Sequence, residues 1–187
     1  MNFNNHFDLI GKHAFLGASK YHWINYDESK LIQSYFNFLA VQEGTEIHEL
    51  ASRLIRKRIK LQKSKKTLNM YVNDAIGYKM TPEQPLYFSD NCFGTADAIC
   101  FEKNFLRIHD LKTGSTPASM SQLMVYTALF CFEYGKKPGN IDAELRIYQN
   151  DDIQIFEPKT SQIETIMEKI IIFDKAINKI KEGAYNG

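Results

Sequence analysis

The chain has 187 residues, 44% of them hydrophobic and 13% aromatic, and a formal net charge of +1. This composition excludes a disordered or fibrous polypeptide and is enough for a core, with a single domain over 1–187 as the expectation. No apolar run reaches the length of a membrane span and the N-terminal residues lack a secretion-signal pattern, so no membrane attachment and a cytoplasmic location are expected.

Residues up to about Lys20 read as weakly structured or a short helix, and Tyr21-His22-Trp23-Ile24 as an aromatic segment suited to docking on a core. Glu28 to Val41 has a helical period, with Leu31, Tyr35, Phe38 and Leu39 on one face. Gly44-Thr45 is expected to end that helix, with Thr45 capping a second one that runs to about Ile59. The second stripe is Ile47, Leu50, Ala51, Leu54 and Ile55. His48 lies at its edge, and a histidine in that position is more often a satisfied core residue than a ligand.

The charge is unevenly spread. Arg53, Arg56, Lys57, Arg58, Lys60, Lys63, Lys65 and Lys66 follow one another with no acid among them, leaving 15 basic against 22 acidic residues elsewhere. A locally basic face on an otherwise acidic chain suits phosphate binding, and equally suits a solvated helix end with a lysine-rich loop.

A short helix is expected over Leu68 to Tyr78, so residues 1–80 are mainly helical. The pattern then changes. Gln84 to Phe88, Gly94 to Phe101 and Phe105 to Leu111 read as strands joined by short turns, and therefore as antiparallel neighbours. Ser115 or Thr116 is expected to cap a buried helix over Ala118 to Tyr134, with Pro117 in its first turn and Gly135 just past its end. Two strands, Asp142 to Gln149 and Ile153 to Phe156, precede an amphipathic helix from about Thr160 to Lys181. Residues 81–187 thus hold the sheet and the later helices. The order predicts an α/β fold with a central mixed β-sheet flanked by helices and an N-terminal helical segment. Cys92, Cys100 and Cys131 form no CxxC pair and read as small hydrophobes.

The chemistry concentrates in Gly94-Thr95-Ala96-Asp97 and Asp110-Leu111-Lys112-Thr113-Gly114. Residues two apart on a strand project from one face, so Asp110 and Lys112 point into the same space, and Asp97 on the adjacent strand is able to join them. Two aspartates suit Mg²⁺ or Mn²⁺, which prefer oxygen ligands, and the Leu111 backbone carbonyl is a plausible further one. An ammonium beside such a metal can stabilise negative charge or help to deprotonate a water. The alternative is a surface ion pair of little consequence. Gln122 and Tyr126 are i and i+4, so they share one face of the helix that starts after this motif.

Together, His48, the Gly94–Asp97 strand, the Asp110–Gly114 strand end and the Gln122–Tyr126 helix resemble, in type and order, the PD-(D/E)XK nuclease superfamily. The branch they look most like is the RecB-type exonucleases, especially small phage-encoded ones. The resemblance covers about His48 to Tyr126 and implies a restriction-endonuclease-like core. It implies His48, Asp97, Asp110 and the Leu111 carbonyl as metal ligands, Lys112 as the catalytic lysine, and Gln122 with Tyr126 as an accessory pair. The basic residues from Arg53 to Lys66 would then bind DNA. Some relatives carry four cysteines for an iron-sulfur cluster; with none after Cys131, no cluster is expected.

The expected activity is metal-dependent DNA exonuclease action in phage-type recombination, repair or genome processing, on linear duplex or single strands, in a host cytoplasm if phage-encoded. No helicase segment is seen, so a freestanding nuclease is expected. A single-strand-annealing protein is a reasonable companion, and a homo-oligomer is open. An endonuclease of the same superfamily, or a non-catalytic nucleic-acid-binding protein on this fold, are the other readings.

Overall fold

The computed structural model describes residues 5–185. They fall into two compact units, one reaching Thr45 and one beginning at Glu46.

In the first unit, short 3₁₀ turns at Phe7–Leu9 and Ala18–Asn25 precede helix α1, Glu28–Arg56, which carries on into the second unit's residues. Phe15 meets Tyr35 edge-on at 5.1 Å and Phe38 at 5.3 Å. The Trp23 indole donates to the Gly17 carbonyl at 3.1 Å. Its neighbours Tyr21 and Ile24 are exposed.

Helix α1 is continuous where two helices were expected. Thr45 does not cap: its hydroxyl donates back to the Val41 carbonyl at 3.1 Å, the bond a threonine makes inside a helix. Gly44 weakens a helix by about 1 kcal/mol relative to alanine, which 29 residues of continuous pairing absorb.

In the second unit, α2 (Thr67–Gly77) leads into a five-stranded sheet, in the order β1 (Thr81–Ser89), β2 (Cys92–Glu102), β3 (Phe105–Leu111), β4 (Asp142–Gln149), β5 (Asp152–Phe156). All neighbours are antiparallel except β3 and β4, which are parallel and joined through α3 (Ser121–Glu133). Helix α4 spans Thr160–Tyr185. Two hairpins close on two-residue turns, Lys103-Asn104 and Asn150-Asp151, with all four φ between +52° and +62°. That is the turn geometry whose twist matches paired strands.

The sheet buries both faces. Leu86, Ile99, Leu106, Ile108, Leu145 and Ile147 pack with α3, and α3 in turn packs on Ile163, Ile166 and Ile170 of α4. Ala98, Leu111 and Tyr148 pack with Ala51 and Ile55 of α1 and Tyr71, Val72 and Ala75 of α2. The α/β class and the mixed, helix-flanked sheet are therefore as expected.

Helix α3 starts three residues later than expected, because Gln149 holds the preceding segment as a loop. Its buried amide donates to the carbonyls of Gly114 (2.5 Å) and Thr116 (2.8 Å) and accepts the Ala118 N–H (3.2 Å). Ser115 and Thr116 do not cap the helix; the Ser121 N–H is met by the Ser119 hydroxyl instead. Its end is as expected, with Gly135 at φ +59° and the Lys136 N–H returning to the Cys131 carbonyl. Among the described residues no helix is long and apolar enough to cross a membrane.

Candidate active site

The Asp-Leu-Lys run ends β3. Lys112 donates through Nζ to Asp110 Oδ1 at 3.1 Å and to Gln122 Oε1 at 3.0 Å. Gln122 Nε2 donates to the Tyr126 hydroxyl at 3.0 Å. An acid and a lysine on a strand end and a glutamine and tyrosine on α3 thus form one chain of hydrogen bonds. Tyr126 is seated by Gly94: a Cβ there would stand 2.9 Å from its ring, so a larger residue would have to displace the ring.

Asp97 enters from β2. The β2–β3 ladder runs as far as Ala98 opposite His109. Beyond it, the Leu111 N–H donates to Asp97 Oδ2 at 2.9 Å, so a side chain replaces the next main-chain acceptor and the strands part at the site. In an extended residue the carbonyl points to the same edge as the N–H, so the Leu111 carbonyl is directed there too. His48, on α1, places Nδ1 3.4 Å from Asp97 Oδ2 and is not a closed-off core residue.

Glu83 completes the cluster and was not singled out from the sequence. One ligand atom each from His48, Glu83 and Asp97 lie within 4.8 Å of one another. Glu83 lies between Pro82 and Gln84 with φ +51°, a left-handed conformation that costs a non-glycine residue about 1 kcal/mol or more. Opposite it, strand alternation slips: Ala96 and Ile99, three apart on β2, pack in the same cluster. The slip falls around Asp97. A glutamate beside two prolines, just before an expected strand, was the available signal, but a positive φ there is not legible in the residues.

The site is electrostatically underpaired. Burial, then the charge of Asp110, raises the Asp97 carboxyl to about 6, against the opposing pull of His48 and the Leu111 N–H. Burial also raises Asp110, less the effect of Lys112. Asp110 is 1% exposed; its Oδ2 lies 2.9 Å from Lys112 Nζ but off the hydrogen-bonding angle, leaving that atom without a donor. Burial raises Tyr126 as well, so it stays a phenol. Three carboxylates and an imidazole with a single ammonium, on Asp110, and a buried acceptor left over form a donor set that fits a hard divalent cation. The three-residue set differs from the one implied by resemblance: Glu83 joins His48 and Asp97, while Asp110 is turned onto Lys112.

All eight residues of the basic run are exposed. Arg53 and Arg56 lie on the last turns of α1 and the rest on the connection to α2. That connection is built: Asn73 accepts the Leu61 N–H at 2.9 Å and donates to the Leu61 carbonyl at 3.0 Å, and Asn69 donates to the Gln62 carbonyl at 2.9 Å. Asp151, in the β4–β5 turn, accepts from Lys66 at 3.3 Å and from the Thr67 N–H at 2.9 Å. Because β3 and β4 are parallel, this turn and Lys112 lie at the same edge of the sheet. The cysteines are free; Cys131 is buried, and burial raises it to about 11.

No family model, curated protein or solved structure matches the chain.

Proposed function

We propose that the chain is a metal-dependent deoxyribonuclease of the PD-(D/E)XK type, acting as an exonuclease. The observation that carries this reading is the Lys112 ammonium held between Asp110 and Gln122 beside two further acids and a histidine. The mixed sheet, with the acids on β2 and β3 and the accessory pair on α3, supports a restriction-endonuclease-like core. The site's position at the same end of the sheet as Lys66, where the basic run ends, supports a polyanionic substrate.

His48, Glu83, Asp97 and Asp110, with the Leu111 carbonyl, would hold Mg²⁺ or Mn²⁺. Such an ion, when bound, polarises a phosphoryl oxygen and makes water more acidic. The chain's own groups do the rest. An ammonium has three N–H donors, and two are spent on Asp110 and Gln122. The third is free to meet the attacking water or a non-bridging phosphate oxygen as negative charge develops. Gln122 donates to the Tyr126 oxygen, so the phenol's own proton is free to donate to phosphate. The basic run draws in the backbone without reading sequence.

The test uses end-labelled linear duplex, linear single strand and closed circular DNA with Mg²⁺, Mn²⁺ or EDTA, beside Lys112→Ala. Metal-dependent loss of linear DNA alone, absent in the variant, is the expected result. Cutting of circles at a comparable rate replaces the exonuclease reading with an endonuclease. Binding without turnover under either metal overturns catalysis.

A further inference from the structure

The β1–β2 hairpin runs on past the end of β3. Ala98 faces His109, so β2 from Thr95 back to Cys92 reaches beyond Leu111, still paired to β1 as far as Ser89. Near its free end Tyr87 and Phe93 are direct cross-strand partners. Their rings lie 6.5 Å apart at 24° to one another, and they are 48% and 67% exposed. Tyr87 is fixed from two sides, its N–H donating to Glu133 at 2.9 Å and its hydroxyl donating to Asp90 at 2.9 Å. Phe93 is four residues from Asp97 on one strand and Tyr87 four from Glu83 on the other, about 13 Å at the usual rise.

The pair, the Lys66 end of the basic run and Lys112 lie at the same end of the sheet, the two rings on the face opposite α3. On the β4–β5 side, Asp151 clasps the end of the basic run; on the β1–β2 side stand the two rings. The hairpin tip does not suit phosphate. Asp90 and Asp174 lie there, Asp174 accepting from Ser89 and Asn91, and Lys181 is already donated to Asn91. Nor is it a broad apolar patch, since the cross-strand neighbours on the same side, Pro85 and Thr95, are a proline and a hydroxyl residue. Two flat, exposed rings beside acids suit the face of a nucleobase, which carries no charge. A base inside a duplex has both faces covered by its neighbours, so only an unpaired base can stack on such rings.

From this we infer that Tyr87 and Phe93 form a stacking ledge for an unpaired nucleobase of the strand whose phosphate meets Lys112. The substrate at the site is then a single-stranded or frayed end. The inference rests on the nuclease reading above.

The experiment measures binding, in EDTA, of a single-stranded oligonucleotide and of the same oligonucleotide with abasic sites near its end. It compares the wild-type chain with Phe93→Ala, Tyr87→Leu and Phe93→Trp, each checked for an unchanged circular-dichroism spectrum. Cleavage of the same strands in Mg²⁺ is followed in parallel. Phe93→Ala and Tyr87→Leu are expected to weaken binding of the base-bearing strand roughly ten-fold or more, and Phe93→Trp to restore it. On the abasic strand all variants should equal wild type. An equal loss on both strands, or no loss on either, in a protein that cleaves DNA overturns the ledge and leaves the nuclease reading standing. Self-association of the wild type that Phe93→Ala abolishes makes the pair a protein contact and also overturns it. If the wild type neither binds nor cleaves any DNA, the nuclease reading fails and the ledge falls with it.

Discussion

His109 and Asp110 are neighbours on β3, yet they belong to polar clusters of opposite character. On the α2 side the cluster is closed. The Tyr148 hydroxyl donates to Asp74 at 2.8 Å; Arg146 reaches Asp74 (3.3 Å), Glu144 (3.0 Å) and the Tyr78 hydroxyl (3.1 Å); Arg107 meets Glu144 at 3.3 Å. Two acids face two guanidiniums. With the Tyr148 proton spent on Asp74, the 3.2 Å contact to His109 is accepted from Nδ1–H, which leaves Nε2 bare and the imidazole neutral. Around Asp110, by contrast, the one ammonium pairs with Asp110, and Glu83 and Asp97 have between them one half-exposed histidine. The closed cluster ties α2, β3 and β4 together. The open one carries charge that its own fold does not balance, as expected where a ligand completes the arrangement.

Sharpest among the ways to break this contrast is Lys112→Ala. On the proposed reading it removes the donor aimed at developing charge and should lower DNA cleavage by roughly 10²–10³-fold or more, measured as turnover in Mg²⁺. The fold should survive, seen as an unchanged near-ultraviolet spectrum.

Asp97→Asn tests whether the open cluster costs stability. In EDTA, Asp97 is raised to about 6 when folded, above its unfolded value, so the folded state binds more protons between about pH 4 and 6. Its contribution to stability is therefore fully present below that window and lost as pH rises through it. At pH 8 the variant should gain up to about 3 kcal/mol in metal-free denaturant unfolding while losing cleavage. His109 works the other way: burial first, then Arg146 and Arg107, lower it to about 3. Its unfolded form binds the extra proton between about pH 3 and 6.5, so its contribution is lost as pH falls through that window. In wild type the two partly offset between pH 4 and 6; Asp97→Asn removes the first and leaves the acid sensitivity of His109 unopposed by it. A variant no more stable than wild type at pH 8 would sink the idea of an underpaired site.

Tyr148→Phe should invert that outcome. It strips the donor from Asp74 and the acceptor from His109 and should cost about 1–3 kcal/mol, while leaving cleavage within a few-fold. A variant of unaltered stability would show that the closed cluster is not structural.

The smallest effect concerns the basic run. Lys57→Gln and Lys60→Gln should each reduce the slope of log affinity against log salt by about one for duplex DNA, with no change in thermal midpoint. An unchanged slope would make the run a solvated loop.

Much of this was legible in the residues because the rules involved are local. Alternation placed β2 and β3, turn residues placed their hairpins, and the i, i+2 spacing of Asp110 and Lys112 put both on one side, as their contact bears out. The i, i+4 spacing of Gln122 and Tyr126 likewise ends in a hydrogen bond. The misses are non-local. The N-terminal register of α3 depends on Gln149, about thirty residues onward in the chain by its bonding partners. Glu83 depends on a left-handed residue in a strand, and the His109 cluster on strands and a helix distant in sequence. The break expected at Gly44-Thr45 failed for the opposite reason: a local stop signal was outweighed by hydrogen bonding that runs on through it.

By itself the sequence determined most of the residues that could carry chemistry, Glu83 excepted, and on which kind of element each would stand, since period, turn and spacing operate over a few residues. Only the tertiary structure decided which of them meet. It brought Glu83 to Asp97 and His48, gave Lys112 to Asp110 and Gln122, and set Lys66 and the aromatic pair at the same end of the sheet. Those pairings are set by how strands align and helices pack, and packing couples residues without regard to their distance along the chain.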